Sequence, residues 1–187
     1  MPSHVALLRG VNVRGMKLAM ADLRAVLSSL GYADVSTYIQ SGNALFSAGP
    51  ADPAALAADI EAALDKQLGV RPRVLVLTRD ELAQVIQDTP YPDEPNPKMV
   101  HAVFLAEEPG PEQVAAVAET EQRAAEKGCR DTAQYVGRVL FLHTPDGFGP
   151  SELAIQLARR AGPMSVKGGG TARNWATVTK LLGLCDA

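Results

Sequence analysis

Three cations and two glycines stand close together in LLRGVNVRGMK, residues 7–17, directly after a short apolar run. A glycine-rich turn between a strand and a helix points backbone N–H groups at an anion, and nearby cations add charge attraction. The cations are Arg9, Arg14 and Lys17, and the segment holds no acidic residue. This combination is typical of a loop that binds phosphate or carboxylate groups.

The spacing of the glycines tests a more specific interpretation. Gly10 and Gly15 match the glycines of a Walker A loop, G-x-x-x-x-G-K-[ST]. However, Lys17 stands one position late, and Leu18 follows it where that motif has a hydroxyl for magnesium. The segment therefore departs from a P-loop. A basic surface turn, rich in Gly and Asn for steric reasons, is the alternative interpretation.

The segment YIQSGN, residues 38–43, carries polar side chains where a hairpin is expected to turn. Gln40, Ser41 and Asn43 offer neutral hydrogen-bonding groups there. Together with Asn12 of the first loop, these side chains are candidate ligand contacts. A turn also favours such residues for its own geometry, so the pattern alone does not separate the two roles.

The segment KGGGTARNWATVTKLLGL, residues 167–184, predicts a glycine-rich approach to a helix over 172–184. On that helix Arg173, Thr177 and Lys180 would share one face, with Asn174 near its edge. A helix N-terminus with free backbone donors favours anions. A flexible linker followed by a solvated helix face is the alternative.

Positive charge is concentrated at the two ends of the chain. Residues 1–21 hold three cations and residues 153–185 hold five, and neither segment holds an acid, so together they carry +8. The whole chain carries −3, which leaves −11 for the rest and argues against general nucleic-acid binding. We therefore expect the two basic segments to converge on something anionic. In this hypothesis Arg9 and Arg173 line one cleft, since a guanidinium binds two oxygens of a phosphate or carboxylate at once.

Composition indicates a folded, reduced protein. The chain has 187 residues, 47% of them apolar, and no apolar run reaches the roughly 18 residues of a membrane span. Its N-terminal apolar run is too short for a signal peptide, so we expect a cytoplasmic protein. Cys129 and Cys185 lack redox or zinc spacing, and His4, His101 and His143 lie far apart. We expect no metal and no cofactor.

The order of predicted elements indicates an α+β fold of two tandem ferredoxin-like units, each β-α-β-β-α-β, plus an extra C-terminal helix. Residues 1–79 form the first unit. Residues 80–97 form a short helix and the linker TPYPDEPNPK, whose four prolines interrupt regular structure. Residues 98–187 form the second unit. Its second helix is expected to run from a Ser151 cap to Ala161, its last strand near 164–167, and its terminal helix over 172–184.

Several motifs resemble those of the bacterial family known as domain of unknown function 1697. They are LLRGVNV, KLAMADLRAVLSSLGY, VSTYIQSGNALF, PDGFGPSELA and TARNWATVTKLL, and they span the chain. The resemblance implies a small cytoplasmic α+β protein with a tandem ferredoxin-like arrangement, in a family with no established activity. The family's motif residues fall here on Arg9, Gly10, Asn12, Tyr38, Gln40, Ser41, Gly42, Asn43, Arg173, Asn174, Trp175, Thr177 and Lys180.

These observations favour a protein that binds a small anionic ligand, and they leave its oligomeric state open. The candidate ligand-binding residues are Arg9, Gly10, Asn12, Gln40, Ser41, Asn43, Arg173, Asn174 and Lys180. Two alternatives remain. One is an enzyme acting on a phosphorylated metabolite or nucleotide, although no nucleophile with an adjacent base is evident. The other is an RNA-binding module of ferredoxin-like fold, although the aromatic RNA-binding motif is absent.

Overall fold

The computed structural model describes residues 1–13, 15–159, 162 and 169–187. The chain divides into two compact units. The first comprises Met1–Gln84 together with Lys180–Ala187, and the second comprises Val85–Thr179. Each unit contains one four-stranded antiparallel sheet.

The first unit is a ferredoxin-like β-α-β-β-α-β fold followed by a helix. Its elements are β1 (His4–Leu8), α1 (Met20–Ser29), β2 (Ala33–Tyr38), β3 (Asn43–Ser47), α2 (Pro53–Leu68), β4 (Val74–Thr78) and α3 (Arg79–Gln87). The sheet order is β2-β3-β1-β4, with β1 antiparallel to both neighbours. The loop after β1 and the turn between β2 and β3 both join onto the same pair of central strands.

Local sequence signals set the ends of α2. The Asp52 carboxylate accepts a hydrogen bond from the Ala54 N–H at 3.0 Å, and Pro53 follows at the first helical position. Gly69 ends the helix with φ 67°, the left-handed conformation that glycine adopts without steric cost. The apolar face of α2 then packs onto the sheet.

The core of the first unit lies between the sheet and its two helices. Ala6, Leu8 and Phe46 point from the sheet toward buried positions on α1 and α2, among them Leu27 and Ile60. The opposite face of the sheet also carries buried aliphatic side chains. They are Val5, Leu7, Leu45 and Leu77.

The second unit repeats the same order of elements. They are β5 (Val100–Phe104), α4 (Pro111–Ala125), β6 (Thr132–Val136), β7 (Val139–His143), α5 (Glu152–Leu157) and β8 (Thr171–Asn174). The sheet order is β6-β7-β5-β8, the counterpart of the first sheet. A trailing helix follows β8, as α3 follows β4: it is α6 (Trp175–Cys185), which begins in this unit and whose residues from Lys180 onward belong to the first. The α+β fold of two tandem ferredoxin-like units with a C-terminal helix is therefore confirmed.

The C-terminal elements differ in position from the expected ones. The strand that pairs with β5 is Thr171–Asn174, whereas residues 164–167, where the last strand was expected, lie outside the described residues. The helix expected over 172–184 begins only at Trp175, so Arg173 belongs to a strand. Likewise α5 ends at Leu157 rather than at Ala161, a residue outside the described part of the chain. No helix among the described residues is long and apolar enough to cross a membrane.

Candidate functional site

The loop after β1 is organised by the side chain of Asn12. Its Nδ2 donates to the backbone carbonyls of Leu18 at 2.9 Å and Gln40 at 2.7 Å, and its Oδ1 accepts from the Leu18 N–H at 3.0 Å. The Asn12 backbone N–H also donates to the Met16 carbonyl at 2.7 Å. We call residues 9–13 and 15–18 the clamped loop. Asn12 is thus committed to holding this loop against the turn that contains Gln40.

That turn, residues 39–42, is the hairpin tip between β2 and β3. Gly42 is essential to its geometry: φ is 75°, and a Cβ there would lie 2.4 Å from Cγ2 of Val11 and 2.9 Å from Cβ of Leu8. The Leu8 N–H donates to the Gly42 carbonyl at 2.8 Å. Ile39, a β-branched residue, adopts a φ of 50° and is 51% exposed, which marks local strain. Clamped loop and hairpin tip therefore form one packed corner.

Asn43 is the buried residue that supports this corner. It is fully inaccessible to solvent, and its Nδ2 donates to the Tyr38 carbonyl at 3.0 Å and to the Ser41 hydroxyl at 3.1 Å. Both bonds close the hairpin. Asn43 therefore supports the shape of the tip, whereas Ser41 itself is exposed.

A shallow pocket of about 440 Å³ lies between the clamped loop and the hairpin tip. Its lining residues are Asn12, Val13, Gly15, Met16, Lys17, Leu18, Ala19 and Gln40. The side chains of Lys17 and Gln40 are exposed and form no hydrogen bond or ion pair with any described residue. Gly10 and Gly15 take φ angles of 71° and 103° on either side of Asn12. The pocket thus combines an available ammonium group with an available amide.

Arg9 stands where β1 enters the clamped loop. Its backbone N–H donates to the Arg73 carbonyl at 2.8 Å, and its side chain is partly buried. Burial lowers the pKa of the Arg9 guanidinium, which still stays protonated at neutral pH. Arg9, Gly10, Asn12, Gln40, Ser41 and Asn43 thus belong to one corner of the first unit, as does the pocket.

Arg173 lies in the second unit, on β8. It is the register partner of Ala102, is 8% exposed, and one of its terminal nitrogens donates to the Ala172 carbonyl at 2.8 Å. Burial lowers its pKa to about 10. The expected helical face of Arg173, Thr177 and Lys180 is wrong, because Arg173 precedes α6. Gly169 and Gly170 lead into a strand and not into a helix N-terminus.

Asn174 has a structural role at the start of α6. Its Oδ1 accepts from the Ala176 N–H at 3.0 Å, as an N-cap does, and its Nδ2 donates to the Lys98 carbonyl at 3.2 Å. Lys180, six residues after Asn174, is exposed. The hypothesis that Arg9 and Arg173 bind one anion stays a prediction.

His101 on β5 is a residue that sequence analysis dismissed. Its ring stacks on Phe148 with centroids 3.9 Å apart, and its Nε2 lies 3.5 Å from Nδ2 of Asn174. The Nδ1 atom is buried and has no hydrogen-bond partner among the described residues. Burial lowers the pKa of His101 to about 4, so the ring is neutral at pH 7. The only sequence signal was a histidine inside an apolar strand.

A buried carboxylate fixes the start of α5. Asp131 is 5% exposed and accepts hydrogen bonds from the Ser151 hydroxyl at 2.6 Å and the Cys129 thiol at 2.9 Å. The Ser151 oxygen in turn accepts from the Ala154 N–H at 2.9 Å, which confirms Ser151 as the cap of α5. Burial and this carboxylate raise the pKa of Cys129, so its thiol is not activated as a nucleophile.

Comparison with known proteins places this architecture in a family. Residues 1–139 match the family described as "Protein of unknown function (DUF1697)". The chain belongs to the DUF1697 family. The matched range includes the clamped loop and the hairpin tip, whereas Arg173, Asn174 and Lys180 lie beyond it.

A solved structure shares the fold of this DUF1697 protein. It is the conserved bacterial protein SP0830 from Streptococcus pneumoniae, 21% identical, with a TM-score of 0.74 over 98% of each chain. At this identity the similarity concerns the fold alone. No curated protein matches the chain.

Proposed function

We propose that this protein binds a small anion, a phosphate or carboxylate group, in the pocket between the clamped loop and the hairpin tip. The observation that carries the proposal is the Asn12 clamp beside Lys17 and Gln40. Asn12 fixes both loops through backbone atoms, while the two exposed side chains at the pocket remain available. A pre-organised loop loses little entropy when a ligand binds, which favours affinity.

The charges around the pocket support an anionic ligand. Lys17 lines the pocket and Arg9 stands at the entry to the same loop, while residues 1–21 contain no acid. Two positive-φ glycines flank Asn12, a backbone pattern that turns N–H groups toward a bound anion. An amide such as Gln40 then adds a neutral donor to an anion oxygen.

The alternative of an enzyme receives less support from this pocket. Its described lining residues include no His, Cys, Asp or Glu, so they offer no acid or base that titrates near neutral pH. Lys17 and Gln40 can orient an anion and stabilise its charge. Binding rather than proton transfer is therefore the function that we favour.

The alternative of an RNA-binding module depends on aromatic rings exposed on a sheet. On the face of the first sheet opposite its helices, Val5, Leu7 and Leu45 are aliphatic and fully buried. On the corresponding face of the second sheet, Phe104 and Phe141 are at most 2% exposed. The rings of Phe104 and Phe141 are therefore not accessible for base stacking, which is why we favour the small anion.

The test is a titration of the isotope-labelled protein with inorganic phosphate, in which the NMR chemical shifts of the backbone amides are measured at each phosphate concentration. We expect the amides of Gly10, Gly15 and Lys17 to shift. Lys17→Gln should weaken binding by about 1 kcal/mol, or about fivefold, because one exposed charge contact is lost. The matched control is Lys66→Gln, which removes an exposed lysine from the last turn of α2.

Two outcomes would contradict the proposal. In the first, phosphate shifts no amide resonance of the clamped loop beyond the shifts that chloride produces at equal ionic strength. In the second, Lys17→Gln and Lys66→Gln weaken phosphate binding equally, which would indicate only general charge attraction.

A further inference from the structure

The pocket between the clamped loop and the hairpin tip is larger than an inorganic phosphate requires. Its volume is about 440 Å³, which lies within the range of about 300–1,000 Å³ that is typical of sites for small organic molecules. A phosphorus atom and its oxygens occupy only a small part of such a volume. Most of the pocket is therefore available to whatever is joined to the anionic group.

Half of the residues around the pocket have apolar side chains. Of its eight described lining residues, four are apolar: Val13, Met16, Leu18 and Ala19. Leu18 is 3% exposed and belongs to the core of the first unit. The other three are accessible, since Val13 is 56% exposed, Ala19 is exposed and Met16 is partly exposed. A ligand in the pocket can therefore touch apolar side chains as well as the ammonium group of Lys17.

Backbone hydrogen bonds hold the apolar part of this wall in place. Val13 and Met16 are partners in an antiparallel bridge, and the Asn12 N–H donates to the Met16 carbonyl at 2.7 Å. Val13 thus stays exposed on a loop whose backbone is already fixed. A ligand that covers Val13 gains apolar contact without having to order this part of the backbone.

Ala19 occupies a position where a polar residue would stabilise the fold. It is the N-cap residue of α1, and its side chain makes no capping hydrogen bond. Ser, Thr, Asp or Asn at an N-cap accepts a hydrogen bond from the first turn of the helix, which alanine does not. Departures from such local rules are expected at functional sites. An alanine at this place keeps the wall of the pocket apolar at the cost of a helix cap.

The apolar wall stands beside an available cation. An exposed valine alone would not indicate a ligand, because single apolar side chains are common on protein surfaces. Here Val13 shares one pocket with Lys17, which is exposed and forms no hydrogen bond or ion pair with any described residue. The described lining residues include no carboxylate. The pocket therefore offers a positive end and an apolar wall to one ligand.

We infer that the ligand of this pocket is an organic anion, in which a phosphate or carboxylate group is joined to an apolar carbon body. This inference rests on the proposed function and names the class of its ligand. Lys17 and Gln40 bind the anionic group. The carbon body packs against Val13, Met16 and Ala19. Inorganic phosphate makes only the first of these interactions, and a neutral alcohol makes only the second.

The experiment compares n-propyl phosphate with glycerol phosphate in the same amide NMR titration of the full chain. The two esters have the same charged group and the same number of carbons, but glycerol phosphate carries hydroxyl groups where propyl phosphate is apolar. We expect propyl phosphate to bind about fivefold more tightly, because only its body gains from leaving water. Nuclear Overhauser effects should connect the propyl protons to the methyl groups of Val13 and Met16.

Two variants test the apolar wall. Val13→Thr keeps the β-branched shape and replaces a methyl group by a hydroxyl, so it should lower the preference for propyl phosphate to about twofold. Ala19→Ser should lower it as well, and should raise the melting temperature by adding a helix cap, so that loss of the fold cannot explain the result.

Two further variants are controls for these changes. Lys17→Gln should weaken the binding of both esters and leave the ratio of their affinities unchanged. Val114→Thr makes the same substitution as Val13→Thr at a 44% exposed valine of α4 in the second unit. It should leave the affinity for both esters unchanged.

The outcomes separate this inference from the proposed function. Equal affinity for the two esters, together with phosphate binding that Lys17→Gln weakens, would overturn the inference and leave the anion pocket in place. A preference for propyl phosphate that both Val13→Thr and Ala19→Ser leave unchanged would also overturn it, since the carbon body would then lie elsewhere. If neither phosphate nor either ester shifts an amide resonance of the clamped loop, both proposals fail.

Discussion

The neutral, half-buried His101 makes the stability of the second unit depend on pH. Its pKa is about 4 in the folded protein, against a usual 6.5 in an unfolded chain. Between these two pH values the unfolded chain binds a proton that the folded chain does not bind, so the free energy of unfolding falls as pH falls from 6.5 to about 4. At 1.36 kcal/mol per pH unit the full loss would be about 3 kcal/mol. Since the ring is partly accessible to solvent, we expect about 2 kcal/mol.

Urea unfolding at pH 7 and pH 4.5 measures this loss, with the fluorescence of Trp175, the single tryptophan, as the signal. In His101→Gln the loss between the two pH values should be smaller than in the wild type by about 1–2 kcal/mol, because glutamine does not titrate. Taking the difference between the two proteins cancels the carboxylates, which titrate alike in both. The matched control is His4→Gln. Burial also lowers the pKa of His4, but the Glu81 carboxylate opposes this effect, so the change should be smaller.

One result would refute the reasoning. If His101→Gln lost as much stability on acidification as the wild type, His101 would titrate alike in the folded and unfolded chains. Its stacking on Phe148 and the inaccessible Nδ1 would then not exclude the charged form.

Three further predictions concern the corner of the first unit and the start of α5. Gly42→Ala should destabilise the protein by about 2–4 kcal/mol, through left-handed strain and through overpacking against Val11 and Leu8. Gly69→Ala, with a similar φ but open space around it, should cost about 1 kcal/mol. Equal losses of the two variants in urea unfolding would contradict the overpacking at Gly42. Asn12→Ala should remove phosphate binding and lower the free energy of unfolding by about 2 kcal/mol, since three side-chain hydrogen bonds disappear. Unchanged phosphate-induced NMR shifts in this variant would show that phosphate binding does not need the clamp. Asp131→Ala should cost about 2–3 kcal/mol by leaving the buried Ser151 hydroxyl without its acceptor, and a thermal melt equal to the wild type would count against this network.

Sequence reasoning predicted most elements of the fold because their signals are local. The hydrophobic period of α1, the cap and closing glycine of α2, and the hairpin of β6 and β7 each agree with the tertiary structure. Trp175, a residue of the family's motifs, is 9% exposed and contacts Phe141 edge to face, with ring centroids 5.7 Å apart. The sequence signals of such elements lie within the element itself or next to it.

The segment TARN shows why the rest could not be predicted. Its helical spacing with Thr177 and Lys180 favoured one continuous helix, yet β5 offers an open edge that pairs with it as β8. That choice is tertiary, because four residues form a strand only where a partner strand exists. The N-cap tendency of Asn174 was the available signal for a helix that begins at Trp175.

The candidate site separates residues that shape a pocket from residues that remain available in it. Sequence alone grouped Asn12, Asn43 and Gln40 as ligand contacts, since all three carry amides. In the structure Asn12 and Asn43 bond to backbone carbonyls and Gln40 does not. Which amide points into a pocket depends on the packing of two loops that lie over twenty residues apart in the chain, and no local pattern encodes it.

The repeated topology gives a physical basis for the difference between residues that hold the fold and residues that remain available to a ligand. Both units use the same strand order and a trailing helix, so each sheet is stabilised by the same type of packing. What differs is where each unit departs from that common plan: the first in the loop after β1, and the second in the length of α5. The core strands of such a fold carry the stability, so loops and helix ends can vary at low cost. The pocket where we propose an anion lies at the first of these departures, so a substitution such as Lys17→Gln can change phosphate binding without removing the core packing of the sheet.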